Sequence, residues 1–209
     1  MCTQFVPTRN DAWAQTQLGV SLPNPDSYPS EAFPGYLSPL VVRGKHSGRL
    51  ACGLASFGLI PRWAKDTKIS RHTYNARAET VADKPSYRDA WRAAQFGAVL
   101  LDAFYEPCYD TGKAQRSAIA LESGEPMAIA CLWERSTPVG STQPVVSFSM
   151  LTINADDHPV MRQFHRPEDE KRSPLVLDAE GTRQWLSANT DQAAHILSTR
   201  RMPALMRVG

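Results

Sequence analysis

The chain has 209 residues, of which 42% are hydrophobic and 21% are charged, a composition that supports a substantial core and argues against disorder. Its net charge of +2 is too small to indicate a nucleic-acid partner by itself. No apolar run reaches the roughly 18 residues of a membrane span, and the N-terminus lacks the apolar segment of a secretory signal, so we expect no membrane association.

The predicted elements alternate between short helices and apolar runs of strand length. In chain order they are a helix at 11–18, a Pro- and Ser-rich loop at 21–39, strands at 40–43 and 50–60, a helix at 87–95 with Ser86 as N-cap, strands at 98–105, 117–121, 127–133 and 145–153, a helix at 156–164, a strand at 175–177, and helices at 178–186 and 191–199. We therefore expect an α+β fold over residues 1–209 as a single domain, with a strongly curved, barrel-like, mainly antiparallel β core flanked by helices.

Cys2 stands directly behind the initiator Met1. Because its side chain is small, we expect Met1 to be removed, which leaves an α-amine beside a thiol. The two groups have ordinary pKa values of about 7.7–8.0 and about 8.5, so both reactive forms are present near neutral pH. Such an aminothiol condenses with an aldehyde to an imine and then closes to a thiazolidine. While Met1 remains, the Cys2 nitrogen is an amide and cannot react in this way. The alternative is an incidental residue at a frayed terminus.

The other cysteines are Cys52, Cys108 and Cys131, and they form no CxxC pair and no zinc-ligand spacing. Cys52 and Cys131 lie in apolar runs that are typical of buried small side chains. We therefore expect no metal site and no cofactor, and a reduced, cytoplasmic setting.

Positive charge is concentrated between Arg43 and Arg92. This stretch contains nine further Lys and Arg residues, among them Arg62, and only four acidic residues. Trp63, behind Pro61, and Tyr74 lie within this stretch. Cations beside aromatic rings favour a groove that follows phosphates and stacks bases. A solvated surface and a core tryptophan are the alternatives.

Three further polar groups lie where strands end or loops begin. If residues 74–80 are extended, Asn75 and Arg77 project to the same side, where Arg77 can bind a phosphate. The residues NARAET at 75–80 are also typical of a capped helix start. Glu106 ends the apolar run from Ala98, a position that favours a shifted pKa and proton exchange, or a surface salt bridge. His165 can shuttle protons near neutral pH, or is a solvated loop residue.

Taken together, these residues resemble the SRAP family. The resemblance runs from Cys2 to about Trp185. It rests on Cys2 and on the blocks GLIPRWAKD at 58–66, NARAET at 75–80, FYE at 104–106 and RSPLVLD at 172–178. It implies an SRAP-like fold and a DNA-damage function, in which the protein binds single-stranded DNA at an abasic site and forms a covalent thiazolidine link through its N-terminal cysteine, shielding the lesion. A thiol autopeptidase activity that removes Met1 is also implied.

The resemblance assigns roles residue by residue. Cys2 matches the nucleophile, Asn75 the residue that orients the cysteine amine and the sugar, Glu106 the acid that assists proton transfer, and His165 the histidine that promotes opening of the sugar ring. The matching DNA-binding residues are Arg77, Trp63, Pro39, Arg62 and Arg172. We accordingly expect a monomer that binds abasic single-stranded DNA, associated with the nucleoid.

The chain departs from the family pattern at three places. The usual Cys-Gly-Arg start is Cys2-Thr3-Gln4, and Pro107 replaces the usual aromatic residue after the glutamate. The family's His-x-Arg-x-Pro block is opened by an insertion, so that either Arg166 or Arg172 can take the place of its arginine.

Two other functions fit the same residues. The first is an N-terminal-nucleophile hydrolase that cleaves amides with Cys2 as thiolate and its own amine as base. The second is a non-covalent module for single-stranded DNA, with Cys2 inert and binding that weakens with salt.

Overall fold

A computed structural model of the protein describes residues 2–139 and 142–208. Within them, eleven strands join one sheet and four α-helices flank it. The strands are β1 (Gln4–Pro7), β2 (Leu37–Arg43), β3 (Leu50–Phe57), β4 (Asn75–Arg77), β5 (Phe96–Cys108), β6 (Gln115–Leu121), β7 (Met127–Ser136), β8 (Val145–Asn154), β9 (Arg172–Pro174), β10 (Val176–Leu177) and β11 (Leu205–Val208). The helices are α1 (Asp11–Leu18), α2 (Arg88–Arg92), α3 (Ala179–Ser187) and α4 (Thr190–Thr199). No helix in these ranges is long and apolar enough to span a membrane.

Five strands close into a barrel. Following the hydrogen bonds, β5 pairs with β7, β7 with β8, β8 with β3, β3 with β2, and β2 returns to β5. The pairing of β3 with β8 is parallel and the other four are antiparallel. Closure leaves these five strands without a free edge. The expected α+β fold with a curved, barrel-like, mainly antiparallel core is confirmed.

The barrel strands divide their apolar residues between two cores. Alternate residues point to opposite faces of a strand, so Val99 joins one buried cluster while its neighbours Ala98 and Leu100 join the other. The buried hydrophobic residues of the four helices all belong to the second cluster, which we call the outer core. There, Trp185 of α3 donates a hydrogen bond from Nε1 to the Gly97 carbonyl at 2.8 Å. The first cluster, the inner core, therefore fills the barrel.

Two details of the predicted helices are wrong. The segment 156–164 contains a single 3-10 turn, Met161–Gln163, instead of a helix. Pro159 has no N–H to donate, and the His158 ring accepts hydrogen bonds from the backbone N–H groups of Val160 and Met161, which competes with helical pairing. Ser86 does not cap α2, whose N-cap is Tyr87 without a side-chain bond.

Strand β3 ends at Phe57, three residues before the predicted end at 60, because the chain turns at Gly58. This glycine has φ +108°, and a Cβ placed on it would lie 2.3 Å from the Ser70 carbonyl oxygen. A side chain is therefore excluded by both backbone conformation and space. The segment after this turn carries Arg62 and Trp63, and its Ile60 N–H donates to Ser147 Oγ of β8 at 2.8 Å.

The predicted strands do not include four short ones, β1, β4, β9 and β11, and two of these position the candidate site. Strand β1 pairs antiparallel with β5, with Gln4 opposite Tyr105. Strand β4 runs parallel to β8, with Asn75 opposite Met150. Residues 75–77 are thus extended, and the alternative of a helix start there is wrong. Each strand is only three or four residues long, so its own pattern gives little signal, and its partner strand stabilises it.

Candidate active site

Cys2 is held inside the mouth of the barrel. The pairing of β1 with β5 brings the N-terminus alongside Tyr105 and Glu106, and the Cys2 side chain, fully buried, joins the inner core. Its Sγ donates to the Gln4 carbonyl oxygen at 3.4 Å. Residue 2 is therefore anchored rather than frayed. Met1, whose removal the chemistry of Cys2 requires, lies outside the described residues.

Asn75 fixes the backbone of Cys2. Its Nδ2 donates a hydrogen bond to the Cys2 carbonyl oxygen at 2.7 Å, and the Tyr87 hydroxyl in turn donates to the Asn75 carbonyl at 2.9 Å. The side-chain Oδ1 of Asn75 is buried and finds no hydrogen-bond partner among the described residues. A buried acceptor of this kind is costly unless it is bonded, so Asn75 can receive a donor group of a bound molecule.

Glu106 brings a carboxyl group into the same buried space. It lies on β5 opposite Ser117 of β6 and is almost completely buried. Burial raises the pKa of Glu106 to about 7. Burial and, after it, the charge of Glu106 raise the pKa of the Cys2 thiol to about 12. Near neutral pH, a protonated thiol therefore lies beside a carboxyl group that can both give and take a proton.

His165 completes this group. Its backbone N–H donates to the Pro107 carbonyl at 2.9 Å, beside a bridge between Cys108 and Phe164, and its φ is +63°. These contacts place His165 Nε2 3.7 Å from Glu106 Oε2 and 3.1 Å from the Arg172 carbonyl oxygen. Burial lowers the pKa of His165, which favours the neutral imidazole. The solvated-loop alternative does not describe this side chain, which is only 9% exposed.

The two arginines beside this group differ in setting. Arg77, at the end of β4, has a side chain that is 51% exposed and forms an ion pair with Glu170, Nη1 to Oε2, at 2.8 Å. Arg172 is buried, and Glu79 binds its guanidinium with both oxygens at 2.8 and 2.9 Å. Arg172 also donates to the Thr152 carbonyl at 2.6 Å. Arg77 is thus open to a ligand, whereas Arg172 stabilises β8 and the loop after His165.

The other predicted DNA-binding residues lie outside the buried group. Trp63 is 54% exposed, and its Nε1 donates to the Pro85 carbonyl at 3.1 Å, so it is not a core tryptophan. Arg62 keeps most of its surface while its Nε bonds Glu134 at 3.0 Å. Pro39 is buried within β2 opposite Leu54. The structure therefore brings Cys2, Asn75, Glu106 and His165 together and leaves Arg77, Arg62 and Trp63 exposed. These three exposed residues are called the rim below.

Sequence reasoning missed the acidic partners of the arginines and the full role of Tyr74. In the sequence, Glu79 and Glu170 look like ordinary surface charges. The reason is that 93 residues separate Glu79 from Arg172, and 93 residues also separate Glu170 from Arg77. Tyr74, predicted as a stacking platform, is half-buried and packs edge-on against Phe57 of the inner core at 5.8 Å. Burial, and then the charges of Cys2 and Glu106, raise the Tyr74 pKa, which identifies it as a neighbour of the site.

This geometry coincides with a family likeness that covers nearly the whole chain. The model of the family described as SOS response associated peptidase (SRAP) matches residues 1–207. The abasic site processing protein YoqW of Bacillus subtilis (strain 168) is 31% identical over 197 residues, which cover 91% of this chain and 83% of YoqW. The abasic site processing protein HMCES of Xenopus tropicalis is 24% identical over 176 residues, which cover 71% of this chain and 50% of HMCES.

The fold recurs in solved structures. A protein from Bordetella bronchiseptica is 27% identical and superposes with a TM-score of 0.87, over 99% of this chain and 98% of that one. A protein from Bacteroides thetaiotaomicron, 17% identical with a TM-score of 0.78 over 99% of this chain and 90% of that one, shares the fold.

Proposed function

The chain belongs to the SOS response associated peptidase (SRAP) family, and on that premise we propose that it processes abasic sites in single-stranded DNA by forming a thiazolidine crosslink through Cys2. Relatives of this chain are named abasic site processing proteins, which supports abasic sites as the substrate. The observation that carries the proposal is the convergence of Cys2, Asn75, Glu106 and His165 at one buried position.

The first step is removal of Met1, which converts the Cys2 amide into a free amine. The amine then adds to the aldehyde carbon of the ring-opened sugar and gives a carbinolamine. Loss of the hydroxyl group as water, with a proton supplied by an acid, leaves the imine. Addition of the thiol sulfur to the imine carbon, with transfer of the thiol proton to the nitrogen, closes the thiazolidine. The balance is aldehyde plus aminothiol giving thiazolidine and water.

Glu106 is suited to both proton transfers. With a pKa of about 7, its carboxyl form can protonate the leaving hydroxyl, and the carboxylate that remains can take the proton of Cys2 Sγ. This second transfer is needed because the thiol, with a pKa of about 12, is not ionised by itself. His165, whose Nε2 lies 3.7 Å from Glu106 Oε2, exchanges protons with the sugar hydroxyl during ring opening in this proposal.

Asn75 and the rim residues act by positioning. The hydrogen bond from Asn75 to the Cys2 carbonyl fixes the direction of the reacting terminus. Arg77 and Arg62 supply charge for phosphates, and Trp63 offers an exposed ring for a base. Holding the lesion beside Cys2 turns a bimolecular condensation into a local one with a high effective concentration. Pro39 and Arg172, both buried, would contribute by supporting this surface.

The crosslink is tested with purified protein whose intact mass shows that Met1 is absent. Mixing it with an abasic single-stranded oligonucleotide should give a band that survives denaturation. Cys2→Ser should abolish the band, and Cys52→Ser, which packs against the outer core, should keep it. Absence of the band from the wild type, while a known aminothiol peptide reacts with the same DNA, refutes the proposal. Salt-sensitive retention that is indifferent to the lesion would instead identify a non-covalent module.

The word peptidase in the family description favours a second activity at the same site, the self-removal of Met1 by the Cys2 thiol. Intact mass distinguishes it from processing by the cell. Retention of Met1 in Glu106→Gln, with its loss from the wild type made under the same conditions, supports self-cleavage, because a cellular aminopeptidase recognises only the small second residue. Turnover of small amides without DNA would favour a general hydrolase.

A further inference from the structure

Glu170 joins the two arginines of the site. Its Oε2 accepts from Arg77 Nη1 at 2.8 Å, and its Oε1 accepts from Arg172 Nη1 at 2.8 Å. One anionic group with two oxygens therefore spans two guanidiniums that come from β4 and β9. A phosphate group uses the same arrangement when it is bound by a pair of arginines.

The charges of this cluster cancel while Glu170 is in place. Arg77 and Arg172 contribute two positive charges, and Glu79 and Glu170 contribute two negative ones. Hydrogen bonding from Arg172 lowers the pKa of Glu170, so its carboxylate stays charged at neutral pH. A DNA phosphate that approaches Arg77 therefore meets a neutral cluster whose exposed cation already has an anionic partner.

We propose that Glu170 is an intrachain competitor for the DNA phosphate and that its displacement sets the affinity of this chain for single-stranded DNA. The inference rests on the proposed function, since it takes Arg77 as a phosphate contact. It adds that Glu170 lowers affinity for any strand, so that binding depends more heavily on the other contacts, including those at the lesion.

The displacement needs little rearrangement. The side chains of Glu170 and Arg77 are 38% and 51% exposed, so both can turn into solvent. The backbone beside Glu170 is fixed separately, because the N–H of Lys171 donates to Asp156 at 2.9 Å and its carbonyl accepts from Ala155 at 2.8 Å. Arg172 keeps its two bonds to Glu79 when Glu170 leaves, so no buried cation is stranded. Rotation of the Glu170 side chain, which also gives up a hydrogen bond from Asn154 Nδ2 at 3.4 Å, is sufficient.

The test measures binding of the full chain to a labelled, undamaged single-stranded oligonucleotide by fluorescence anisotropy at low salt. Glu170→Gln keeps the shape and removes the charge, and we expect binding about two- to fivefold tighter, which is the worth of an ion pair of this exposure. Glu168→Gln removes the same charge from an exposed site two residues away and is the matched control, expected to gain less. The slope of the logarithm of affinity against the logarithm of salt concentration should steepen by about one released ion, and only in Glu170→Gln.

Two further variants make the result specific. In an Arg77→Gln background, the advantage of Glu170→Gln over Glu168→Gln should shrink. Glu170→Asp, too short to span both guanidiniums, should fall between wild type and Glu170→Gln, and it replaces Glu170→Gln if circular dichroism shows that variant unfolded.

Equal affinities of Glu170→Gln and Glu168→Gln, or weaker binding of Glu170→Gln than of the wild type, overturn the inference, because Glu170 then supports Arg77 instead of competing with DNA. This result leaves the proposed function intact if the wild type binds. Binding by neither the wild type nor any variant overturns this inference alone, because the crosslink to abasic DNA decides the proposed function separately.

Discussion

In the buried group of Cys2, Asn75, Glu106 and His165, polar atoms have been removed from water and each is placed by a strand pairing or a backbone hydrogen bond. At the rim, Arg62, Trp63 and Arg77 keep about half or more of their surface. Trp63 bonds the Pro85 carbonyl, Arg77 pairs with Glu170, and Arg62 bonds Glu134 and Gln95. Burial shifts pKa values and fixes distances, whereas exposure leaves side chains free to adapt to a flexible strand. Changes in the buried group should therefore alter rates and pH dependence, and changes at the rim should alter affinity.

The largest effect is expected for Glu106→Gln, which removes the proton carrier and keeps its shape. The rate of crosslinking should fall about 100-fold or more, the usual contribution of a general acid and base. The inflection of the wild-type rate near pH 7, expected from the pKa of Glu106, should vanish. Single-turnover gels across pH measure both. An unchanged inflection in the variant would assign it to another group, with His165 the next to test.

The same carboxyl should make folding stability depend on pH. The pKa of Glu106 is about 7 in the folded chain, whereas its ordinary value is 4.5. With respect to this group, the folded state is therefore most stable below about pH 4.5, and it loses that stability as the pH rises through 7. The free energy of unfolding of Glu106→Gln relative to the wild type should rise by up to about 3 kcal/mol over that window. Urea titrations at several pH values measure it, and the titrations of groups distant from Glu106 cancel between the two proteins. A constant difference would contradict the shifted pKa.

A smaller effect, on rate alone, is expected for Asn75→Asp. The substitution keeps the shape but replaces the N–H that bonds the Cys2 carbonyl, so crosslinking should slow about 10- to 100-fold through loss of orientation. Affinity for single-stranded DNA should change little. Asn10→Asp is the matched control, because an aspartate can still cap α1 as Asn10 does. If Asn75→Asp lowered the affinity for single-stranded DNA but not the crosslinking rate of the bound complex, Asn75 would act in DNA binding, as the rim residues do.

The smallest effect is expected at the rim, for Trp63→Ala. Loss of one stacking ring should weaken binding of single-stranded DNA about fivefold, near the lower end of the range for base stacking, while the crosslinking rate at saturating DNA stays the same. Met206→Ala removes another exposed apolar side chain, from β11, and should bind as the wild type does. A lower rate at saturation would show that Trp63 also orients the lesion, and would remove the distinction between the two regions.

The long elements could be predicted, and the short ones could not. The strand within 145–153 is mostly apolar, so its type is evident from the sequence, and the structure confirms it together with the predicted helix at 11–18. Strand β4 is three residues long and forms because β8 lies beside it. The helix predicted at 156–164 fails for a local reason, the hydrogen bonds of His158. The residues proposed for the site were found by chemical type and family likeness, and their arginine partners were not, because ion pairs between distant segments leave no local pattern.

By itself, the sequence determined the fold class, the family and the residue types available for aldehyde chemistry, since these follow from local patterns and from matched blocks. Tertiary structure alone decided that Cys2 lies buried beside Glu106, that the Glu106 carboxyl has a pKa near 7, and that Glu170 occupies both arginines. The physical reason is that desolvation and charge pairing depend on which atoms surround a group, and those atoms come from strands far apart in the chain.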